Sequence, residues 1–369
     1  MNPGDERLIL LKAEELQVKR GGALALDIPD LEIIAGQVLA LIGPNGAGKS
    51  TLLLTLAGLL KPARGSLLFR GERIVNDGFN YRRRIAMVFQ EPLLFDTTVF
   101  DNVAAGLRIR GVGRTEIGRV VSEYLDLFGI SHLAKRSARK LSGGEAQRTS
   151  LARAFITKPE IVFLDEPFSS LDPPTREALT GDLERILHET RTTAVASTHD
   201  QTEALRLGDR LAVINGGRIV QIGPAAEVIN RPADEFVASF VGVETVLPGR
   251  VLRSSDGVFT AEVEGGEIQA VGHVRIGEEV LCCIRPEHVT LSTNAQPPGT
   301  SARNAFAGSI RSITPLGLFH RVRLDCGFDL VAYVTRQSIE DLQLEEGKQV
   351  TASFKATAVH VILRGMSTS

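Results

Sequence analysis

Nine consecutive residues, Gly43-Pro44-Asn45-Gly46-Ala47-Gly48-Lys49-Ser50-Thr51, carry the most legible chemistry in this chain. They match G-x-x-x-x-G-K-[ST], a loop whose glycines let successive backbone N–H groups turn inward onto phosphates. Lys49 is placed to reach the β- and γ-phosphates, and the Ser50 hydroxyl to sit on Mg²⁺. Two adjacent carboxylates, Asp165 and Glu166, close the apolar run Ile161-Val162-Phe163-Leu164. A strand that delivers such a pair to its C-terminal edge is the usual companion of a phosphate loop. Asp165 would hold Mg²⁺ through water, while Glu166, pointing the other way, would polarise an attacking water. These residues imply a bound nucleoside triphosphate.

A third stretch, Leu141-Ser142-Gly143-Gly144-Glu145-Ala146-Gln147-Arg148, reads first as a helix start. Ser142 and Glu145 make an S-x-x-E capping box. The cap requires neither glycine, and glycines at a helix start let a phosphate approach the bare N–H groups closely. Gly143 and Gly144 therefore open this helix start to a phosphate.

The elements needed to hold these groups are visible around them. The apolar run Val38-Leu39-Ala40-Leu41-Ile42 feeds the phosphate loop and Leu52-Leu53-Leu54-Thr55-Leu56-Ala57 continues it as a helix. Residues 8–37 alternate apolar and polar with turns at Gly21-Gly22 and Gly36, as a short antiparallel sheet does. Residues 65–71 predict another strand and turn, and residues 84–90 a buried strand ending in Gln90. A mainly helical stretch spans about 96–140. Two further apolar strands, 161–164 and 193–197, flank a helical pattern from Pro174 to Thr190. Such alternation means a parallel sheet covered on both faces. From about residue 243 the pattern changes to short strands and glycine turns.

The 369 residues suggest two or three domains, each able to bury a core. A net charge of −2 argues against a dedicated nucleic-acid binder. The polar start, residues 1–7, lacks a signal-peptide core. No apolar run approaches the roughly 20 residues that span a bilayer, so at a membrane another subunit must supply the span. Cys282, Cys283 and Cys326 have no metal-ligand spacing and read as small buried residues in a reducing cytosol.

Gly43–Thr51, Gln90, Leu141–Glu145, Ile161–Pro167, Ser169-Ser170-Leu171-Asp172 and His199 together resemble the ATP-binding subunit of ABC transporters, in order and in spacing, over about residues 8–242. The resemblance implies an α/β P-loop NTPase with a RecA-like core plus antiparallel β and helical subdomains, assigned here to residues 1–242. It further implies ATP and Mg²⁺ as ligands. Two copies would face each other head to tail, each ATP lying between one chain's phosphate loop and the other's Ser142–Glu145. Within it Glu166 would act with His199, which would contact the γ-phosphate. Gln90 would sense Mg²⁺ and the nucleophile, and Asp172 would couple the two sites. The segment Glu91–Phe95 would receive a helix from a membrane permease, which in turn meets an extracytoplasmic solute-binding protein. The chain would then sit peripherally on the cytoplasmic face of the cell membrane. One departure stands out: where the family places an aromatic to stack on adenine, Arg20 or a neighbour is found. A guanidinium also stacks on a base, which leaves base selectivity open.

Residues 91–140 are too few for the coiled-coil arms of chromosome-associated and repair relatives, and a single phosphate loop disfavours translation-factor relatives. The tail, residues 243–369, contains a repeat at a spacing of about 70 residues. Gly277, Val280, Ile284, Arg285 and Val289 line up with Gly347, Val350, Phe354, Lys355 and Val359. It reads as an all-β, OB-like pair of units at about 243–295 and 300–364. Residues 243–299 carry eight acidic against four basic side chains and residues 300–369 six against eight, so only the second unit is hospitable to an anion. Ser301-Ala302-Arg303-Asn304 and Phe354–Val359 resemble the molybdate-binding (Mop-type) units of TOBE domains. Ser301, Arg303, Asn304, Lys355 and Thr357 could supply donors to a tetrahedral oxyanion. The tail either binds that anion or only stabilises the ATPase dimer. The whole chain reads as the ATPase of a tungstate or molybdate importer. Open alternatives are another solute (a sulfate-like anion, sugar, polyamine or ferric ion) and an ATPase with no transport partner.

Overall fold

The computed structural model describes residues 8–75, 78–293 and 300–364; the polar start 1–7 and the end of the first expected repeat, 294–295, lie outside the described residues. The chain divides into two compact units, residues 1–225 and 226–369.

The first unit runs β1 (Ile9–Arg20), β2 (Ala23–Ile34), β3 (Val38–Ile42), α1 (Lys49–Leu56), β4 (Arg64–Phe69), β5 (Glu72–Arg73), α2 (Phe79–Arg82) and β6 (Ile85–Val88). It continues through α3 (Val99–Ile109), α4 (Arg114–Leu127), α5 (Gly143–Phe155), β7 (Ile161–Asp165), α6 (Pro173–Thr190), β8 (Thr193–Thr198), α7 (Gln201–Leu207), β9 (Arg210–Asn215) and β10 (Arg218–Pro224). A four-stranded antiparallel sheet has the order β2-β1-β4-β5, and a six-stranded sheet the order β10-β9-β3-β8-β7-β6. In the larger sheet all neighbours are parallel except β9 and β10.

Its strands are apolar on both faces because both faces are covered. Along β7, Ile161 and Phe163 enter the core shared with α1 and the antiparallel sheet, whereas Val162 and Leu164 enter the core of α3, α5 and α6. Each fully buried side chain of this size contributes about 1.5–3 kcal/mol. The same period of two sends Asp165 to the α1 side, as it does Phe163. The strand that feeds the site is thus held by its own core.

The second unit contains α8 (Ala225–Asn230), α9 (Glu235–Phe240), β11 (Thr245–Ser255), β12 (Val258–Val263), β13 (Gly266–Val271), β14 (Glu279–Ile284) and β15 (Thr290–Ser292). It ends with β16 (Asn304–Leu316), β17 (Phe319–Asp325), β18 (Asp329–Thr335), α10 (Arg336–Asp341), β19 (Gln349–Phe354) and β20 (Val359–Leu363). It begins earlier than the expected residue 243. Ala238 and Val243 pack against Leu281, Cys283 and Ile362, and the Arg285 guanidinium donates to the Ile229 carbonyl at 2.6 Å. Apolar burial of this kind, invisible in a pattern of short strands, ties residues 226–242 to the tail.

Two five-stranded sheets have the orders β13-β12-β11-β14-β20 and β15-β19-β16-β17-β18. Both copies run strand, 3₁₀ turn, strand at the same 70-residue offset: β14, Pro286–His288, β15 and β19, Ala356–Ala358, β20. The two copies are nevertheless not self-contained. β15 pairs with β19, and β20 pairs with β14, so each repeat completes the other's sheet. Phe259 and Val280 from one copy share a core with Leu324 and Phe354 from the other.

Candidate functional site

β3 lies inside the parallel sheet, and the chain leaves its C-terminal edge into the glycine loop. α1 starts at Lys49 behind Gly48, whose φ of 108° an L side chain rarely adopts, and a Cβ there would meet Leu26 Cδ2 at 2.7 Å. The helix has neither a side-chain cap nor an acidic residue in its first turn. Its first N–H groups and positive dipole end are therefore left for an anion.

Lys49 is 5% exposed, and its Nζ donates to the carbonyls of Gly43 at 2.8 Å and Pro44 at 3.2 Å. The same ammonium stands 3.6 Å from Glu166 Oε1. Glu166 Oε2 in turn lies 3.1 Å from His199 Nδ1. Glu166 has a φ of 43°, a conformation costing a non-glycine residue about 1 kcal/mol or more. That turn separates the neighbours: Asp165 faces Ser50 and Ser197 while Glu166 faces Lys49 and His199.

Asp165 Oδ1 accepts from Ser50 Oγ at 2.9 Å and from Ser197 Oγ at 2.7 Å. Ser197 also anchors the next residue, because the Glu166 N–H donates to the Ser197 carbonyl and to its hydroxyl, both at 3.1 Å. Sequence reasoning gave Ser197 no part. Its only signal was a hydroxyl ending an otherwise apolar strand.

A cavity of about 580 Å³ opens over this cluster. Asn45, Gly46, Gly48, Lys49, Ser50 and Thr51 form one side; Gln90, Glu166, Ser169 and His199 face them. Ser169 is an addition to the expected set. Gly43, Pro44 and Ala47 shape the loop without lining the cavity, and Asp165 stands behind Ser50.

Ser142–Glu145, Asp172 and Arg20 are not among the lining residues. Ser142 and Glu145 form the capping box of α5, with Ser142 N–H to Glu145 Oε2 at 2.8 Å and Glu145 N–H to Ser142 Oγ at 3.3 Å. That bond to the Ser142 backbone holds the Glu145 carboxyl below its ordinary range. Gly144 has a packing reason the sequence concealed: a Cβ there would stand 2.5 Å from Thr175 Cγ2 on α6. Asp172 caps α6 by accepting from the Thr175 N–H at 3.3 Å, and its contacts with Thr175 lower its pKa. Arg20 is exposed at the end of β1.

Of the five residues assigned to an oxyanion, Asn304 is withdrawn. It is 2% exposed, its Oδ1 accepts from Gln269 N–H at 2.7 Å, and its Nδ2 donates to the Gln269 carbonyl at 2.9 Å. Its amide stitches β16 to β13, the second repeat to the first. Ser301, Arg303, Lys355 and Thr357 are exposed. The register Asn304↔Phe354 brings their two segments to one end of the same sheet.

The remaining apolar segment, Glu91–Phe95, is pinned from behind. Asn102, fully buried, accepts from the Phe95 N–H at 2.8 Å and donates to its carbonyl at 3.0 Å. Arg153 stacks 5.5 Å over the Phe95 ring and donates to the Leu93 carbonyl at 2.8 Å. A neighbouring groove of about 380 Å³ is lined by Arg82, Arg83, Arg110 and Arg153 together with Ile85, Met87 and Ile109.

The ABC transporter family model matches residues 26–169, and the TOBE domain model matches residues 300–361. A molybdate/tungstate import ATP-binding protein of Pyrococcus horikoshii is 39% identical over 338 residues, covering 89% of this chain and 93% of the relative. One from Thermococcus kodakarensis is 42% identical over 282 residues, 75% and 81% of the two chains. A sulfate/thiosulfate import ATP-binding protein of Thermosynechococcus vestitus is 36% identical over 340 residues, 91% and 94%. Among solved structures, cbiO1 from Clostridium perfringens, part of the ABC transporter complex cbiONQ, aligns with a TM-score of 0.56 at 31% identity. It covers 64% of this chain and 95% of that one. Among the described residues no helix is long and apolar enough to cross a membrane.

Proposed function

The chain belongs to the ATP-binding subunits of ABC importers, ATPases whose hydrolysis drives transport, and from that premise we propose that it energises uptake of molybdate or tungstate. The observation that carries the catalytic part is the position of Glu166, between Lys49 and His199 at the mouth of the phosphate-loop cavity.

Triphosphate binding requires Lys49 to exchange the Gly43 and Pro44 carbonyls for phosphate oxygens. That exchange draws its ammonium away from Glu166 and frees the carboxylate for water. Glu166 then orients that water and takes its proton as the water oxygen bonds to the γ-phosphorus; ADP departs as the bond to the β-bridging oxygen breaks. His199 stays hydrogen-bonded to the carboxylate and reaches the γ-phosphate. Neither half-site alone surrounds the γ-phosphate with donors, so a second copy supplies Ser142, Gly143, Gly144 and Glu145 across a head-to-tail dimer, with Asp172 between the two sites.

The donors beside Lys49 suit Mg²⁺: the Ser50 hydroxyl, the Asp165 carboxylate and the Gln90 amide are hard oxygen ligands. When bound, the ion neutralises charge on the phosphates.

The permease partner is assigned to the Glu91–Phe95 segment and the arginine-lined groove beside it, at the cytoplasmic face of the membrane, with a solute-binding protein on the far side. Cargo rests on likeness to the molybdate/tungstate relatives across most of the chain. Sulfate or thiosulfate is the second reading, favoured by relatives 36–37% identical over similar lengths. The decisive measurement is ATPase rate with the cognate membrane subunit and binding protein across molybdate, tungstate, sulfate and thiosulfate. Stimulation by the first two alone is expected; stimulation by sulfate alone would move the chain to the second reading. Calorimetry of the full chain with tungstate tests the tail, and the absence of heat at millimolar anion would leave it a structural element.

A further inference from the structure

His199 and Asp172 lie on different elements, and between them stand one buried and one half-buried side chain, neither among the motif residues named above. The first is Glu203 on α7, 7% exposed. Its Oε2 accepts from Thr198 Oγ1 at 2.5 Å, and the same hydroxyl accepts from the Asp200 N–H at 3.0 Å. The backbone on both sides of His199 is thereby tied to one hydroxyl that Glu203 holds. The second is Arg176 on α6. Its Nη2 donates to the Leu171 carbonyl at 3.1 Å, and its own N–H donates to the Asp172 carbonyl at 2.9 Å. Arg176 Nε points toward Glu203 Oε1 across 3.9 Å and is buried with no hydrogen-bond partner among the described residues.

A buried guanidinium N–H left unpaired is costly. Nε and Oε1 stand about 1 Å beyond hydrogen-bond distance, so a small approach of α6 and α7 satisfies both. A joined arrangement would differ from the one observed by closing that gap.

We propose that Glu203 and Arg176 are positioning residues that couple His199 to the Leu171–Asp172 turn, so that engagement of one chain's γ-phosphate is felt at the turn facing the other chain. This rests on the nucleotide-sandwich reading above. Neither side chain touches nucleotide; each acts through its neighbour. A second tie between these helices runs from the half-buried Arg206 to two exposed carboxylates, Glu177 and Glu184, rather than to Glu203, which makes it the control.

The experiment measures ATPase rate, its Hill coefficient for ATP, fluorescent-nucleotide affinity and Tm for the purified full chain. Glu203→Gln keeps shape and the Thr198 bond but removes the charge that draws Arg176. It should lower kcat about tenfold and bring the Hill coefficient toward 1, with nucleotide affinity changed by less than about twofold and Tm not lowered. Arg176→Met should do the same to kcat, and the double variant should be no slower than the slower single one, as members of one connection behave. Arg206→Ala should leave rate and Hill coefficient within about twofold of the parent.

Parent-like kcat and cooperativity in Glu203→Gln would overturn the link. So would additive losses in the double variant, a loss in Arg206→Ala equal to that in Glu203→Gln, or a fall in rate that tracks a fall in Tm. His199→Ala separates the two layers of the argument. If it too turns over at the parent rate, the sandwich reading falls and the link with it; if only Glu203→Gln does, the link alone falls.

Discussion

Of the two adjacent carboxylates Glu166 alone lines the cavity, and the proposed mechanism makes turnover depend on it. Replacing it with Gln retains its size and removes the base. Turnover should fall at least about 100-fold while nucleotide still binds, as single-turnover ATPase and nucleotide titration would show; a variant hydrolysing at the parent rate would remove Glu166 from the mechanism. Glu203 allows a prediction of a different kind. Burial raises its carboxyl above the usual 4.5, with Asp200 adding to the shift and Thr198, Arg176 and His199 opposing it. A folded-state pKa raised in this way means stability that is present below the ordinary range and lost as pH rises through the higher value. Gln carries no such loss, so the Tm of Glu203→Gln relative to the parent should climb with pH; a gap that narrows with pH would contradict it. The phosphate-loop residues and the Asp165-Glu166 pair could be read from sequence, since each motif is contiguous. Ser197 could not, because its partners at 50, 165 and 166 are brought to it by sheet order alone.

At the scale of elements, helix starts decide what is offered to phosphate. α1 begins without a side-chain cap and α5 begins with a complete one, so the two N-termini are chemically unlike although both have glycine at their start. The capping box of α5 was legible from its S-x-x-E spacing. The need for Gly144 was not, because its neighbour is Thr175 on another helix. Gly144→Ala should destabilise the chain by about 1–3 kcal/mol through overpacking. Thr175→Ser, which removes the crowding methyl, should recover most of that loss in the double variant, as denaturant unfolding would report. Equal destabilisation with and without Thr175→Ser would mean that the glycine serves something other than this packing. The alternation along β7 was legible as a fully apolar run, yet which face each residue takes was fixed only by the cores on either side.

For the molecule as a whole, the tail shows how a visible repeat can mislead about independence. β20 is part of the second copy in sequence but completes the first copy's sheet beside β14. Ending the chain at Ala358 should therefore abolish the tail's cooperative unfolding transition in calorimetry, while residues 1–225 still bind nucleotide. An unchanged tail transition would show that strand to be dispensable. The sequence by itself determined the phosphate loop, the carboxylate pair, the capping box and the spacing of the repeat, because each is written in residues close together along the chain. Only the tertiary structure decided that Ser197 joins Asp165 to Glu166, that Asn304 is spent on Gln269 and that Glu203 stands 3.9 Å from Arg176. It also decided that residues 226–242 belong with the tail. Each of these depends on hydrogen bonds and burial between segments far apart in sequence, and pattern carries no information about distance in space.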